Sequence, residues 1–183
     1  LWMWVFNGQH GLLNYALAPL LDGINAVLGS DLQPPNWLVD PHLTKPTLIL
    51  AGLWQVGGTV VIFLASLQDV PRSLYESAEL DGASAAHKLW HITIPMISPV
   101  IYFNLIIGII NALQVFVTPY ILMPDGATDR SALMYTVYLY DNAFRYNQMG
   151  YASAMAWVMF LIIIALTYGA TKLSRKHIYY AGA

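Results

Sequence analysis

Three long stretches of the chain carry no Asp, Glu, Lys, Arg or His: residues 46–67, 96–123 and 149–171. A bilayer core asks for roughly 20 apolar residues in helix, so each stretch is long enough to cross one. Backbone in lipid must satisfy its own hydrogen bonds, which makes helices of all three. Upstream, Leu13, Leu17, Leu20, Ile24, Val27 and Leu28 recur at helical spacing, interrupted by Pro19 and by Asp22 and Gly23. That pattern predicts short amphipathic helices lying at a membrane surface. Gln33-Pro34-Pro35-Asn36-Trp37 reads as a stiff turn with an aromatic anchor. Met123-Pro124-Asp125-Gly126 reads as a second turn, followed over 131–144 by a short tyrosine-rich helix.

Between the first two apolar runs lies a polar island over 75–95, Y-E-S-A-E-L-D-G-A-S-A-A-H-K-L-W-H-I-T-I-P. Pro71 suits a helix start, where its missing N–H costs nothing. Ser73 and Glu76 have capping-box spacing. A first helix is predicted over 72–80, broken at Asp81-Gly82, because glycine readily takes the left-handed conformation of a helix end. A second is predicted over 83–90, with Pro95 and Pro99 closing the loop. Ser77, Ala78, Gly82, Ala83, Ser84, Ala85 and Ala86 leave one side with little bulk, so another backbone can approach closely. Glu76, Glu79 and Asp81 can pair with a partner's Arg or Lys. Two readings fit these residues: a docking element and a well-capped solvated hairpin.

Composition fixes the class. The chain has 183 residues, 57% hydrophobic and 10% charged, with mean hydropathy +0.54. Soluble domains carry about 25% charged residues, so this one is read as a membrane protein. The net charge of −2 gives no basic patch for nucleic acid. The chain has no cysteine, hence no disulfide, thiol catalysis or cysteine metal site. His87 and His91 have metal-binding spacing, but no third ligand is in view and no metal is expected. The first residues, Leu1 to Phe6, read as the end of a fourth membrane helix, in a fragment of a longer protein.

Three crossings put the 68–95 loop and the C-terminus on one side. That side holds Arg72, Lys88, Lys172, Arg175 and Lys176, against Lys45, Arg130 and Arg145 on the other. The positive-inside rule makes the loop and tail cytoplasmic. The Lys172, Arg175 and Lys176 cluster is read as an anchor for lipid phosphate.

Glu76-Ser77-Ala78-Glu79-Leu80-Asp81-Gly82-Ala83, followed without gaps by Ile92-Thr93-Ile94-Pro95, resembles the E-A-A…D-G-A…I-x-L-P loop. That loop marks the permease subunits of ABC importers that use a binding protein. Ser77 stands where alanine is usual, and Leu89 where phenylalanine is common. Leu64-Ala65-Ser66-Leu67-Gln68-Asp69-Val70-Pro71, Asn36-Trp37-Leu38-Val39-Asp40-Pro41 and Gly150-Tyr151-Ala152-Ser153-Ala154 look like the carbohydrate-type permeases. His177-Ile178-Tyr179-Tyr180 is similar to the ending of the first permease in maltose-like and glycerol-phosphate-like systems. Where the family often has Gly-Gly-Pro, this chain has Pro124-Asp125-Gly126-Ala127.

The resemblance implies an all-α, polytopic membrane helix bundle in a prokaryotic inner membrane. The chain would hold three full membrane helices, the end of a fourth and short cytoplasmic coupling helices, as one domain over 1–183 with the coupling loop at 71–95. The family commonly has six membrane helices, so the first two and most of the third would be missing. It implies a non-catalytic subunit without cofactor, partnered by ATP-binding subunits, a second permease, an extracytoplasmic sugar-binding protein and membrane lipid. Carried over by position, Glu76, Ser77, Ala78, Asp81, Gly82, Ala83 and Pro95 would couple to the ATPase.

A solute route should show as polar groups inside the spans, since these are expensive in lipid. Asn104, Gly108, Asn111, Gln114 and Thr118 recur on one helical face and are the candidates for lining a sugar route. Tyr102 or Phe116 could add stacking. Interhelical hydrogen bonding is the other reading of that face. Trp54, Gln55 and Thr59, with Gly57 and Gly58, could line the route or pack tightly; Ser153, Trp157 and Thr167 are weaker candidates. The alternatives in function are a permease for another solute and a membrane adaptor that only docks a partner. A membrane enzyme would want ionisable residues within the spans, and a nucleotide site would want a G-x-x-x-x-G-K-[ST] loop; the sequence has neither.

Overall fold

The computed structural model describes residues 1–174. Arg175 and Lys176 of the basic tail, and the ending 177–180, lie outside the described residues. Among the described residues every regular element is helical. In chain order they are α1 (Trp2–Val5), α2 (Leu12–Leu28), α3 (Thr44–Leu53), α4 (Gly57–Gln68), α5 (Arg72–Leu80), α6 (Ala85–Lys88), α7 (Ile94–Leu113), α8 (Val117–Leu122), α9 (Tyr135–Tyr140) and α10 (Met149–Ser174). A 3₁₀ turn, Trp54–Val56, joins α3 to α4. Three helical stretches are long and apolar enough to cross a membrane: Thr44–Gln68, Ala85–Leu122 and Met149–Ser174. The first and third lie close to the charge-free runs 46–67 and 149–171, whereas the second holds most of the run 96–123 but starts well before it, at Ala85. This is the all-α, multi-pass arrangement the sequence predicted.

Several boundaries differ from the expected ones. Pro19 does not interrupt the upstream helix, and α2 runs unbroken through it and through Asp22 and Gly23. The helix ends instead at Gly29, with φ +62. Helix α6 does not stop before the second span. It passes through a π-helical turn, Leu89–Thr93, directly into α7, so Pro95 lies inside a continuous helix. The second span breaks near its far end. Phe116 leaves helical geometry at φ −132, ψ −57 before α8 restarts. The tyrosine-rich outer helix is confined to α9 and a π-helical turn, Asp141–Arg145.

Packing divides the chain into two compact units. One comprises Leu1–Gln55 with Gln114–Ser153; the other comprises Val56–Leu113 with the chain from Ala154 onward. The first is held by an apolar cluster of Phe6, Ala51, Leu122, Met123 and Ala132, with Trp37 and Leu48 against it. Several polar groups buried there find hydrogen-bond partners within the unit. The Asn14 amide donates to the carbonyls of Gly8 (2.8 Å) and Pro35 (3.0 Å) and accepts from Trp37 Nε1 at 2.7 Å. Thr44 Oγ1 donates to Ser131 Oγ at 3.0 Å. In the second unit α4 packs on α7. The Tyr102 hydroxyl bonds Thr171 Oγ1 at 2.7 Å, tying α7 to α10.

Candidate coupling loop and solute face

The polar island folds as two short helices about Gly82. Helix α5 ends on a Schellman motif: the Gly82 N–H donates to Glu79 O (3.0 Å) and the Ala83 N–H to Ala78 O (2.9 Å). That closure requires φ +75 at Gly82. The space around Gly82 is open; a Cβ built there meets nothing within 4 Å. The glycine is demanded by the backbone turn, not by packing within the chain. The helix starts after Pro71 without a side-chain cap, so the Ser73 and Glu76 spacing is not used as a capping box. Ser84 caps α6 instead, accepting from the His87 N–H at 3.3 Å.

The hairpin is cross-braced. Lys88 Nζ donates to Glu79 Oε1 at 2.7 Å, with the Lys88 side chain 21% exposed and Glu79 63%. The Tyr75 hydroxyl bonds the buried Thr93 Oγ1 at 2.8 Å, holding α5 to the π-turn. These contacts fix the angle between α5 and α6. They also settle which carboxylate is occupied: Glu79 is paired within the chain, while Glu76 and Asp81 are exposed.

Beside Gly82 lies an open hollow of about 540 Å³, lined by Ala78, Asp81, Gly82, Ala83, Ser84, His87, His91 and Ile92. The small residues that stood out in the sequence form its wall. Of the expected coupling residues, the structure gathers Ala78, Asp81, Gly82 and Ala83 there. Glu76 and Ser77 lie on α5, and Ser77 Oγ is turned back to donate to Ser73 O at 2.9 Å. Pro95 stands apart, in the first turn of α7. The His87 and His91 rings stack with centroids 4.0 Å apart. No cluster of three metal-ligating side chains occurs among the described residues. Sequence reasoning passed over Leu80, which is 90% exposed beside the turn. Its signal was one branched apolar residue at the tip of a polar island.

The candidate solute face is distributed over two helices. Asn104, Gly108 and Asn111 lie on α7, within the second unit. Asn104 is half-buried and donates to Val100 O at 2.9 Å, while Gly108 and Asn111 are exposed. The helix ends at Leu113, so Gln114 falls in the break and Thr118 on α8, both in the first unit. The register shared by Asn104 and Asn111 therefore does not run on to Thr118. At the break, Thr136 Oγ1 donates to the freed carbonyl of Val115.

The turn after α8 is strained. Asp125, Ala127, Asp129 and Arg130 all have left-handed φ, between 54 and 61. Arg145 ties the turn down: its Nη1 is 2.8 Å from Asp125 Oδ1 and 3.6 Å from Asp141 Oδ1. The hydrogen bond and charge of Asp125, with the charge of Asp141, raise the Arg145 pKa above its ordinary value.

The family model of the binding-protein-dependent transport system inner membrane component matches residues 1–178. The chain is 41% identical over 161 residues to the probable ABC transporter permease protein YesP of Bacillus subtilis, covering 86% of this chain and 52% of that protein. It is 35% identical over 143 residues to the arabinooligosaccharides transport system permease protein AraP of the same organism, covering 78% of this chain and 46% of that protein. The fold matches the crystal structure of a bacterial ABC transporter involved in the import of the acidic polysaccharide alginate. The TM-score is 0.80 at 23% identity, over 96% of this chain and 58% of the other. The chain thus spans about half the length of the curated relatives it matches. The charge-free spans, the gapless loop around Gly82 and these matches together place the chain in the family of binding-protein-dependent transport system inner membrane components, the permeases of ABC importers.

Proposed function

We propose that the chain is part of the translocation subunit of an ATP-driven sugar importer, and that its 71–95 loop docks on an ATPase subunit at the cytoplasmic face. The hollow beside Gly82 carries this reading. It is walled by small side chains, left unfilled by the chain itself, and held in a rigid hairpin. A rigid element can carry a push, and an unfilled small-residue hollow admits a partner's backbone or side chain. Leu80 supplies an apolar contact beside it, and Glu76 and Asp81 remain open to a cationic partner. ATP binding on the partner would move the hairpin. The helical continuity of α6 through the π-turn into α7 would carry that movement directly to Asn104 and Asn111.

The sugar assignment draws on relatives such as the arabinooligosaccharide permease. Amide side chains on α7 suit hydroxyl-rich solutes, since they donate and accept at one site. Asn104, Gly108 and Asn111 on α7 are the residues proposed to meet the solute, with Gln114 and Thr118 as further candidates. The chemistry of hydrolysis would belong to the ATPase subunits, with a second permease and an extracytoplasmic sugar-binding protein completing the assembly.

The docking reading is tested by photo-crosslinking. A benzoylphenylalanine at Ala83 in the full-length complex should give an adduct with the ATPase subunit. The same group at Asp129, on the outer turn, should give none. Adducts from Asp129 but not from Ala83 would overturn both the docking site and the sidedness.

A further inference from the structure

We infer that α2 is seated in the outer leaflet of the bilayer, with Leu12, Leu20, Ile24 and Val27 in contact with lipid acyl chains. The helix has 17 residues. At 1.5 Å per residue it is about 25 Å long, short of a span across a core of about 30 Å. Two of its amide side chains are turned to the chain itself, and a row of its aliphatic side chains is turned away. The amides face inward: Asn14 bonds Gly8, Pro35 and Trp37. Asn25 accepts from Ser30 Oγ and the Leu32 N–H, both at 2.9 Å, and donates to Leu32 O at 3.2 Å. One outward stripe is carbon: Leu20 is 63% exposed and Val27 84%, and Leu12 and Ile24 lie on the same stripe, while Tyr15 and Asp22 are exposed away from it.

Two observations select lipid as the occupant. The stripe is free of charged and hydrogen-bonding side chains, and α2 carries no basic residue. A soluble partner that comes and goes would leave this row of apolar side chains bare in water between encounters. A bilayer covers it permanently. Helix α1, packed against α2, exposes Met3 and Trp4, residues that suit the same boundary. Of the polar groups that an interfacial helix ordinarily turns to water, Asp22 and Tyr15 stay exposed while Asn14 and Asn25 are taken up by the chain itself. The inference rests on the chain being a membrane protein and is independent of the coupling loop.

Spin labelling of the full-length transporter in nanodiscs tests it. The 183 residues contain no cysteine, so Leu20→Cys and, separately, Val27→Cys give single sites once cysteines elsewhere in the complex are replaced. Nitroxides at both are expected to relax several-fold more with oxygen than with a nickel chelate, at about 5–10 Å below the phosphates. Neither accessibility should change when the solute-binding protein is added. Faster relaxation by nickel would overturn the inference, because the stripe would then be in water. Protection from both reagents would also overturn it, because a protein would then cover the stripe. Retained ATP hydrolysis in each labelled complex verifies the fold, and the Val27 site decides the matter if Leu20→Cys fails to assemble.

Discussion

At the scale of single residues, the hairpin separates carboxylates that the sequence presents as equals. Glu79 has a partner in Lys88 at 2.7 Å, whereas Glu76 is exposed on the same helix. Exposed ion pairs contribute roughly 0.2–1 kcal/mol, so losing this one should slacken the hairpin only slightly. Glu79→Ala is therefore expected to keep most of the wild-type transport rate in reconstituted vesicles. Glu76→Lys, which reverses a charge offered to a partner, is expected to abolish transport while the protein still reaches the membrane. Equal losses from the two changes would contradict this division. Gly82 was legible from sequence alone, because Asp-Gly after a helical run calls for a left-handed residue. Glu79's partner was not: Lys88 meets it only once the turn folds α6 back on α5, and nothing in the spacing of the two residues announces that. Leu80 was missed for a related reason, since a lone leucine in a helical pattern reads as core until its exposure is seen.

At the scale of elements, apolar runs gave the first and third spans nearly to the residue, because lipid enforces both length and helix, but missed that the second helix starts in the polar island at Ala85. The interruptions were less legible. Proline at 19 suggested a break where the helix continues, and Pro95 a loop end where α6 runs on through the π-turn into α7. The real break, over 114–116, contains neither proline nor glycine. It is held by Thr136, whose hydroxyl satisfies the freed carbonyl of Val115. In a membrane an unsatisfied carbonyl is costly. Thr136→Val conserves shape and removes the donor, and should cost about 1–3 kcal/mol. The expected readout is a lower unfolding temperature of the purified complex in detergent, with little change for Thr136→Ser. An unchanged temperature for Thr136→Val would mean that the break is held by other contacts. The solute face shows the same limit of sequence reading: five polar residues fit one helical wheel, yet the helix ends before the last two.

At the scale of the molecule, the chain joins two kinds of surface. Its spans expose rows of aliphatic side chains, among them Val60, Val61 and Leu64 on α4 and Leu161 and Ile162 on α10, suited to lipid or to other membrane helices. Its polar island, by contrast, is rigid, cross-braced and open at Gly82. The family places such a chain in a membrane transport system, and the proposed mechanism makes the island the point where force enters. The most direct test is ATP hydrolysis stimulated by sugar-loaded binding protein in the reconstituted full-length complex, comparing wild type with Gly82→Asp. Aspartate tolerates the left-handed conformation better than most residues, and the space beside Gly82 is open, so the variant should fold and insert. Its side chain would intrude on the hollow that a partner needs. The account predicts that stimulation falls to the unstimulated rate in Gly82→Asp; stimulation equal to wild type would contradict it.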